Sequence, residues 1–329
     1  MGKKFRREKE EYVMNKTVGC KKNKEVKAPA LSLRKRIWKY RHYYVLILPA
    51  LIYVLIFNYG PLYGLQIAFK NYKVSLGMWN SRFVGLRNFM DFFTGYNFWT
   101  LIKNTLGLSL YEIVVGFPIP ILVALILNEL GTKSKRVVQT VLYAPHFIST
   151  VVLVGIINIM FSPSMGVVNT IIEALGGEGI YFMGRPEYFR HIYAWSGIWQ
   201  EMGWSAIIYL AALSSVDPAH LEAAEIDGAT RLQKIRYINI PTIMPTIIIT
   251  LILKFGRIVT VGYEKVYLLQ NELNLDVSEV ISTYVYKRGI VDSSYSFSTA
   301  VGLFNNVVNV TMLLIVNRIA KKVSDTSLF

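Results

Sequence analysis

Four ionisable side chains stand inside long apolar stretches: Glu112, Glu201, Lys254 and Arg257. A charge at the centre of a membrane helix costs about 2.5–3.5 kcal/mol, so such groups turn towards a partner or a water-filled cavity. Lys254 and Arg257 are three residues apart, the spacing of neighbours on one helical face. Two chemistries are open to them: internal pairing with Glu201 or Glu112, or capture of an anionic ligand. The guanidinium fork of Arg257 matches the two oxygens of a carboxylate. Asn305 and Asn309, one helical turn apart in the last apolar stretch, either line a cavity or hydrogen-bond between helices.

Other chemistry is poorly represented. Cys20 is the single cysteine, which excludes a disulfide or CxxC framework. His42, His146, His191 and His220 are scattered and read as interfacial or structural; no HExxH, GxSxG or carboxylate cluster accompanies them. No G-x-x-x-x-G-K-[ST] loop for nucleotide phosphates is present, and "GTKSKR" (131–136) lacks its second Gly and its spacing. No bound cofactor or metal is expected in this chain.

The elements that must position these groups are membrane spans. Of 329 residues 53% are apolar, yet the net charge is +15. Most of that charge is one tail, because residues 1–42 hold fifteen Lys and Arg against four acids. Apolar runs near 43–65, 105–127, 139–161, 193–213, 242–263 and 298–317 each approach the roughly 20 residues needed to cross a hydrocarbon core. They lack the two-residue alternation of a membrane barrel, which predicts an all-α polytopic protein with six transmembrane helices. A soluble nucleic-acid binder is excluded by the same runs, despite the basic tail. The first run follows a long polar tail with no cleavage signal and reads as a retained anchor. Lys and Arg in the tail and inner loops place both termini in the cytoplasm. In the outer loop "FVGLRNFMDFF" (83–93), Phe83, Leu86, Phe89, Met90 and Phe93 fall at helical intervals and predict a helix lying on the outer interface.

Between the fourth and fifth runs lies "EAAEIDGATRLQKIRYINIPTIMP" (222–245). Asp217-Pro218 is a helix start, the helix carries Glu222, Glu225 and Asp227, and Gly228 supplies a left-handed stop. A second short helix restarts near Ala229, with Leu232, Ile235 and Ile238 on one side, until Pro241 and Pro245 interrupt it. The product is a helix-turn-helix bracket over 217–241. From its residues alone it is either an amphipathic connector or a docking element for a cytoplasmic partner.

This stretch resembles the EAA loop of membrane subunits of ATP-binding-cassette importers, on Glu222, Ala223, Ala224, Asp227, Gly228, Ile238 and Pro241. "GWSAIIYLAALSSVDP", "VISTYVYKRGI" and "STAVGLF" extend the likeness, over residues 43–322, to oligosaccharide permeases of the polysaccharide-utilisation type. The resemblance implies a type I importer permease fold, with a basic cytoplasmic tail (1–42) and a six-helix permease domain (43–329) in a bacterial plasma membrane. It implies that Glu222, Ala223, Ala224, Glu225, Asp227 and Gly228 couple to an ATPase. It also implies partners: a second homologous permease, an ATPase dimer holding ATP and Mg, an extracellular solute-binding protein, lipid, and an oligosaccharide as cargo. Lys254, Arg257, Glu201, Asn305 and Asn309 are then candidates for the substrate pathway, and the two cations suggest a uronate-containing sugar. Other readings are an intramembrane glycosyltransferase-like enzyme, and a channel or scaffold; co-purification with an ATPase separates them from an importer.

Overall fold

The computed structural model describes residues 38–323. The basic tail expected over 1–42 lies almost entirely outside the described residues. Contacts divide the chain into two units, Met1–Tyr63 and Gly64–Phe329. The first contains α1 (Arg41–Val54), which passes into a wider π turn at Leu55–Tyr59.

Among its described residues the second unit is mostly helical, with one short antiparallel pair, β1 (Lys70–Asn71) with β2 (Arg82–Phe83). Its helices used below are α2 (Arg87–Phe93), α3 (Phe98–Tyr111), α4 (Pro118–Glu129), α5 (Thr132–Tyr143) and α6 (Thr150–Met160). They continue with α7 (Pro186–Leu213), α8 (Pro218–Ile226), α9 (Arg231–Lys234) and α10 (Ile240–Phe255), then α11 (Tyr263–Leu269), α12 (Ile281–Tyr286) and α13 (Tyr295–Val323). Four helices of the described chain are long and apolar enough to cross a membrane: Arg41–Phe69, Phe98–Glu129, Arg231–Phe255 and Tyr295–Lys322.

The third apolar run is not the single helix expected over 139–161. Thr132–Phe147 and Thr150–Met160 meet at 97°. Pro145 closes the first piece in a 3-10 turn, and Ser149, extended at ψ 151°, caps the second by accepting from the Val152 amide at 3.4 Å. The apolar run hid these two local signals.

Prolines elsewhere widen a helix instead of ending it. Pro118 cannot donate to the carbonyl four residues back, and Glu112–Gly116 opens into a π turn just before it. The same device precedes Pro241: α9 runs through a π turn at Ile235–Asn239 directly into α10. The second helix of the bracket is therefore the inner end of the long Arg231–Phe255 helix, not a separate piece stopped by Pro241 and Pro245.

The outer-loop helix is present but starts at Arg87, later than the expected stripe. Phe83 belongs to a strand, and Leu86, Met90 and Phe93 are exposed, whereas Phe92 is buried. Phe92 meets Phe98, Phe297 and Phe304 with ring centroids 5.1–6.2 Å apart, so α2 is anchored to α13 through a residue outside the expected stripe. Aromatic edge-to-face contacts of this kind add about 0.5–1.5 kcal/mol each.

α7 packs along α4, with Ala124, Leu125, Leu127, Ala206, Leu210 and Ile243 forming one buried cluster. Tyr209 and Thr250 join α7 to α10 through their hydroxyls at 2.9 Å. α7 approaches α5 so closely at Gly203 that a β-carbon there would overlap the backbone carbonyl of Leu142. Backbone cannot yield as a side-chain tip can, so Gly203→Val is expected to lower stability by about 1–3 kcal/mol or more. A thermal midpoint in detergent identical to that of the parent would show the contact to be dispensable.

Candidate functional site

The bracket is built by three local devices. Asp217 accepts from the Ala219 amide at 2.9 Å and starts α8. Gly228, at φ +75°, ends it: the Gly228 amide donates to Glu225 O and the Ala229 amide to Ala224 O at 2.8 Å, a complete Schellman closure. Thr230 and Gln233 then form a capping box on α9. Lys234 Nζ reaches back across the turn to Glu225 Oε1 at 2.6 Å. That ammonium, by hydrogen bond and charge, holds the Glu225 carboxyl below the usual carboxylate range. The pair therefore contributes at neutral pH and its contribution is lost as pH falls through the lowered carboxyl value.

Glu222, Ala223, Glu225, Asp227 and Gly228 are exposed and Ala224 is half-buried. Among the described residues Glu222 makes no ion pair. Two apolar side chains missing from the expected coupling set stand beside the acids: Ile226 is 87% exposed and Leu232 78%. Leu232 does not share the side of Ile235 and Ile238 that the sequence predicts: these two are half-buried while Leu232 faces outwards.

The charged residues of the apolar stretches come together in two adjoining cavities. One, of about 430 Å³, is lined by Ser109, Glu112, Leu253, Lys254, Arg257 and Thr260, among others. The second, of about 420 Å³, shares Glu112 and Lys254 and adds Gln200, Glu201, Gly197 and Lys265. Lys254 and Arg257 meet the same cavity for a reason other than helical spacing. α10 ends at Phe255, and Leu313 packs over Gly256 so tightly that a β-carbon would lie 2.7 Å from it. The chain turns through 256–262, and Arg257 is on the turn. Asn309 fixes that turn: its Oδ1 accepts from the Val259 amide at 3.1 Å and its Nδ2 donates to Thr260 Oγ1 at 2.8 Å. Asn309 is buried, and both ends of its amide are engaged. Asn305 lines a separate groove with Tyr263 and Tyr286.

Neither Lys254 nor Arg257 forms an ion pair among the described residues. Glu201 does, but with His146, whose Nδ1 donates to its carboxylate at 3.0 Å. The imidazole also stacks on Trp204 with centroids 4.4 Å apart. His146 sits at the 97° break, so the broken segment reaches the cavity through Glu201, and Gln200 Nε2 adds a bond to Ile148 O at 2.7 Å.

Sequence reasoning did not single out Lys265. It lies beyond the apolar run, yet its Nζ donates to Tyr193 O at 2.7 Å and sits 4.6 Å above the Tyr193 ring. Gly197 makes the space: a β-carbon there would stand 3.1 Å from Lys265 Nζ and 3.8 Å from Glu112 Oε1. No sequence pattern links residues 112, 197 and 265. Among the described residues no group of three His, Cys, Asp or Glu gathers as a metal site.

Comparison with known proteins agrees with this architecture. Residues 105–325 match the family described as "Binding-protein-dependent transport system inner membrane component". Protein LplB of Bacillus subtilis (strain 168) is 44% identical over 287 residues, covering 87% of this chain and 90% of that protein. The polygalacturonan/rhamnogalacturonan transport system permease protein YteP of the same organism is 41% identical, covering 94% of this chain and 100% of that protein. One chain in a crystal structure of a bacterial alginate ABC transporter, in complex with alginate pentasaccharide-bound periplasmic protein, aligns with a TM-score of 0.83 at 41% identity. That alignment covers 90% of this chain and 99% of the other. With a family model spanning the bracket, the cavities and the last helix, this chain belongs to the inner membrane components of binding-protein-dependent transport systems, a permease subunit and not an enzyme.

Proposed function

We propose that this chain is one of two membrane subunits of an ATP-driven importer of acidic, uronate-containing oligosaccharides, working by alternating access. The observation that carries the cargo is the pair Lys254 and Arg257, which line one cavity and make no ion pair among the described residues. Two cations left in that state at membrane depth are costly unless an anion completes them. Support comes from two relatives whose names include polygalacturonan and alginate. Glu112, Glu201, Lys265 and Asn305 belong to the same pathway, and Asn309 positions the turn that carries Arg257.

Counting α7 and the bent pair as crossings gives six spans. Both termini then lie in the cytoplasm, with residues 1–42 a basic tail beside anionic lipid and 43–329 the permease domain. The 217–241 bracket faces an ATPase dimer, which holds ATP and Mg. Closure of that dimer moves the bracket, and with it the Arg231–Phe255 helix that ends beside the cavity. Because α9 and α10 are one helix joined by a π turn, the bracket and Lys254 are mechanically continuous. A solute-binding protein delivers the sugar from outside, and a second, homologous permease completes the pathway.

Purification in mild detergent tests this reading. A second permease and an ATPase should co-elute with the chain, and the associated binding protein should retain acidic oligosaccharide in preference to neutral. A chain that elutes alone and converts a lipid-linked sugar would replace the importer with an enzyme.

A further inference from the structure

The groove that holds Asn305 is distinct in chemistry from the charged cavities. Its volume is about 510 Å³, within the range of roughly 300–1,000 Å³ usual for small-molecule sites. It runs between α11, α12 and α13, and among the described residues no ionisable side chain other than tyrosine lines it. Tyr263 and Tyr286 form one wall with centroids 5.0 Å apart, Tyr267 supports Tyr286 edge-on at 5.3 Å, and Tyr295 also faces the groove.

Its hydrogen-bonding capacity is unspent. Asn305 Oδ1 is buried with no partner among the described residues. The hydroxyls of Tyr263, Tyr286 and Tyr295 make no hydrogen bond there either. By contrast Ser282, Ser298 and Thr299 on the same walls are already bonded to backbone carbonyls. Gly302 leaves the floor open: no atom lies within 4 Å of where its β-carbon would stand. A buried amide oxygen without a donor is destabilising, and in a native structure such a group calls for a partner such as a ligand or a water.

We propose that this groove is a charge-blind subsite for one sugar ring of the cargo, stacked on Tyr286 and Tyr263 and donating a ring hydroxyl to Asn305. The inference rests on the reading of the chain as an oligosaccharide permease. A lipid acyl chain would fit the aromatic walls but would leave the Asn305 oxygen unsatisfied. A sugar ring satisfies both, because it has an apolar C–H face and hydroxyl donors at its rim. The groove and the second charged cavity are reached by consecutive residues, Tyr263 and Gly262, so neighbouring sugars of one chain can be read by charge in one place and by stacking in the other.

The test uses the reconstituted complex of the full chain with its partner permease, ATPase and binding protein. Its probes are trigalacturonate and the fully methyl-esterified, neutral trigalacturonate. Asn305→Leu, Tyr286→Ala and Gly302→Leu should each raise the KM for uptake about tenfold, the scale of one lost hydrogen bond or stacking contact. The increase should be equal for every probe the parent complex takes up, and Tyr286→Phe should stay close to the parent. Asn305→Leu removes an unpartnered polar atom at nearly constant volume, so assembly should be undiminished. Unchanged KM in assembled variants overturns the subsite and leaves the permease reading standing. Loss of assembly in both Asn305→Leu and Gly302→Leu assigns the groove to the partner permease and overturns the subsite as well. A parent complex that takes up neither probe overturns the cargo reading and the subsite with it.

Discussion

Gly228→Val is expected to abolish uptake in a transporter that still assembles, and Glu222→Lys is expected to do the same. The two act through different physics. Gly228 sits at φ +75°, where a β-branched residue is strained, while the space around it is empty. The cost is therefore conformational, about 1–2 kcal/mol, and it falls on the turn that sets the angle between α8 and α9. Asn tolerates the left-handed region, so Gly228→Asn should retain most of the transport. Glu222 is exposed and makes no ion pair among the described residues, which leaves its carboxylate to meet a basic groove on the ATPase. Reversing a charge at such a contact costs about 2–5 kcal/mol, or at least about 30-fold in coupling. Binding-protein-stimulated ATP hydrolysis should fall together with uptake. Normal uptake by either variant at normal assembly would remove the bracket from the coupling path.

The second large effect concerns Arg257. Arg257→Ala should weaken uptake of trigalacturonate at least about tenfold, the scale of one charge-assisted hydrogen bond, and affect the neutral ester far less. Arg257→Lys keeps the charge but loses the planar fork, so an intermediate loss is expected. Asn309 gives the internal control, because Asn309→Ala frees the 256–262 turn that it bonds at Val259 and Thr260. That variant should lose uptake of both probes. Equal losses of both probes from Arg257→Ala would make Arg257 a structural residue and end the acidic-cargo reading. A charge swap with Glu201 is not an informative control, since the Glu201 carboxylate is taken by His146.

The predictions differ in origin. Those on the bracket were legible in the sequence where its signals are local: Asp217 before Pro218 starts the first helix, and Gly228 supplies the left-handed residue that ends it. Hydrogen bonds within four residues decide such geometry, and they need no distant partner. The helical class was legible for a related reason, since hydrocarbon demands that every backbone group be satisfied within its own segment. Continuous apolar runs therefore specify helices by themselves.

What the sequence determined, then, was the helical class, the first helix of the bracket with its glycine turn, and the presence of costly charges in apolar stretches. Where those charges stand was decided by tertiary contacts. The Arg231–Phe255 helix ends because Leu313 covers Gly256 and Asn309 captures Val259 and Thr260, more than fifty residues away in one case and about fifty in the other. Lys265 enters the cavity because Gly197, on another helix, leaves it room. Glu201 is held by His146 only because the third apolar run bends by 97° at that residue's turn. Each of these depends on side chains far apart in the chain meeting across packed elements. Such complementarity has no period along the chain, so it becomes visible only when the helices are packed.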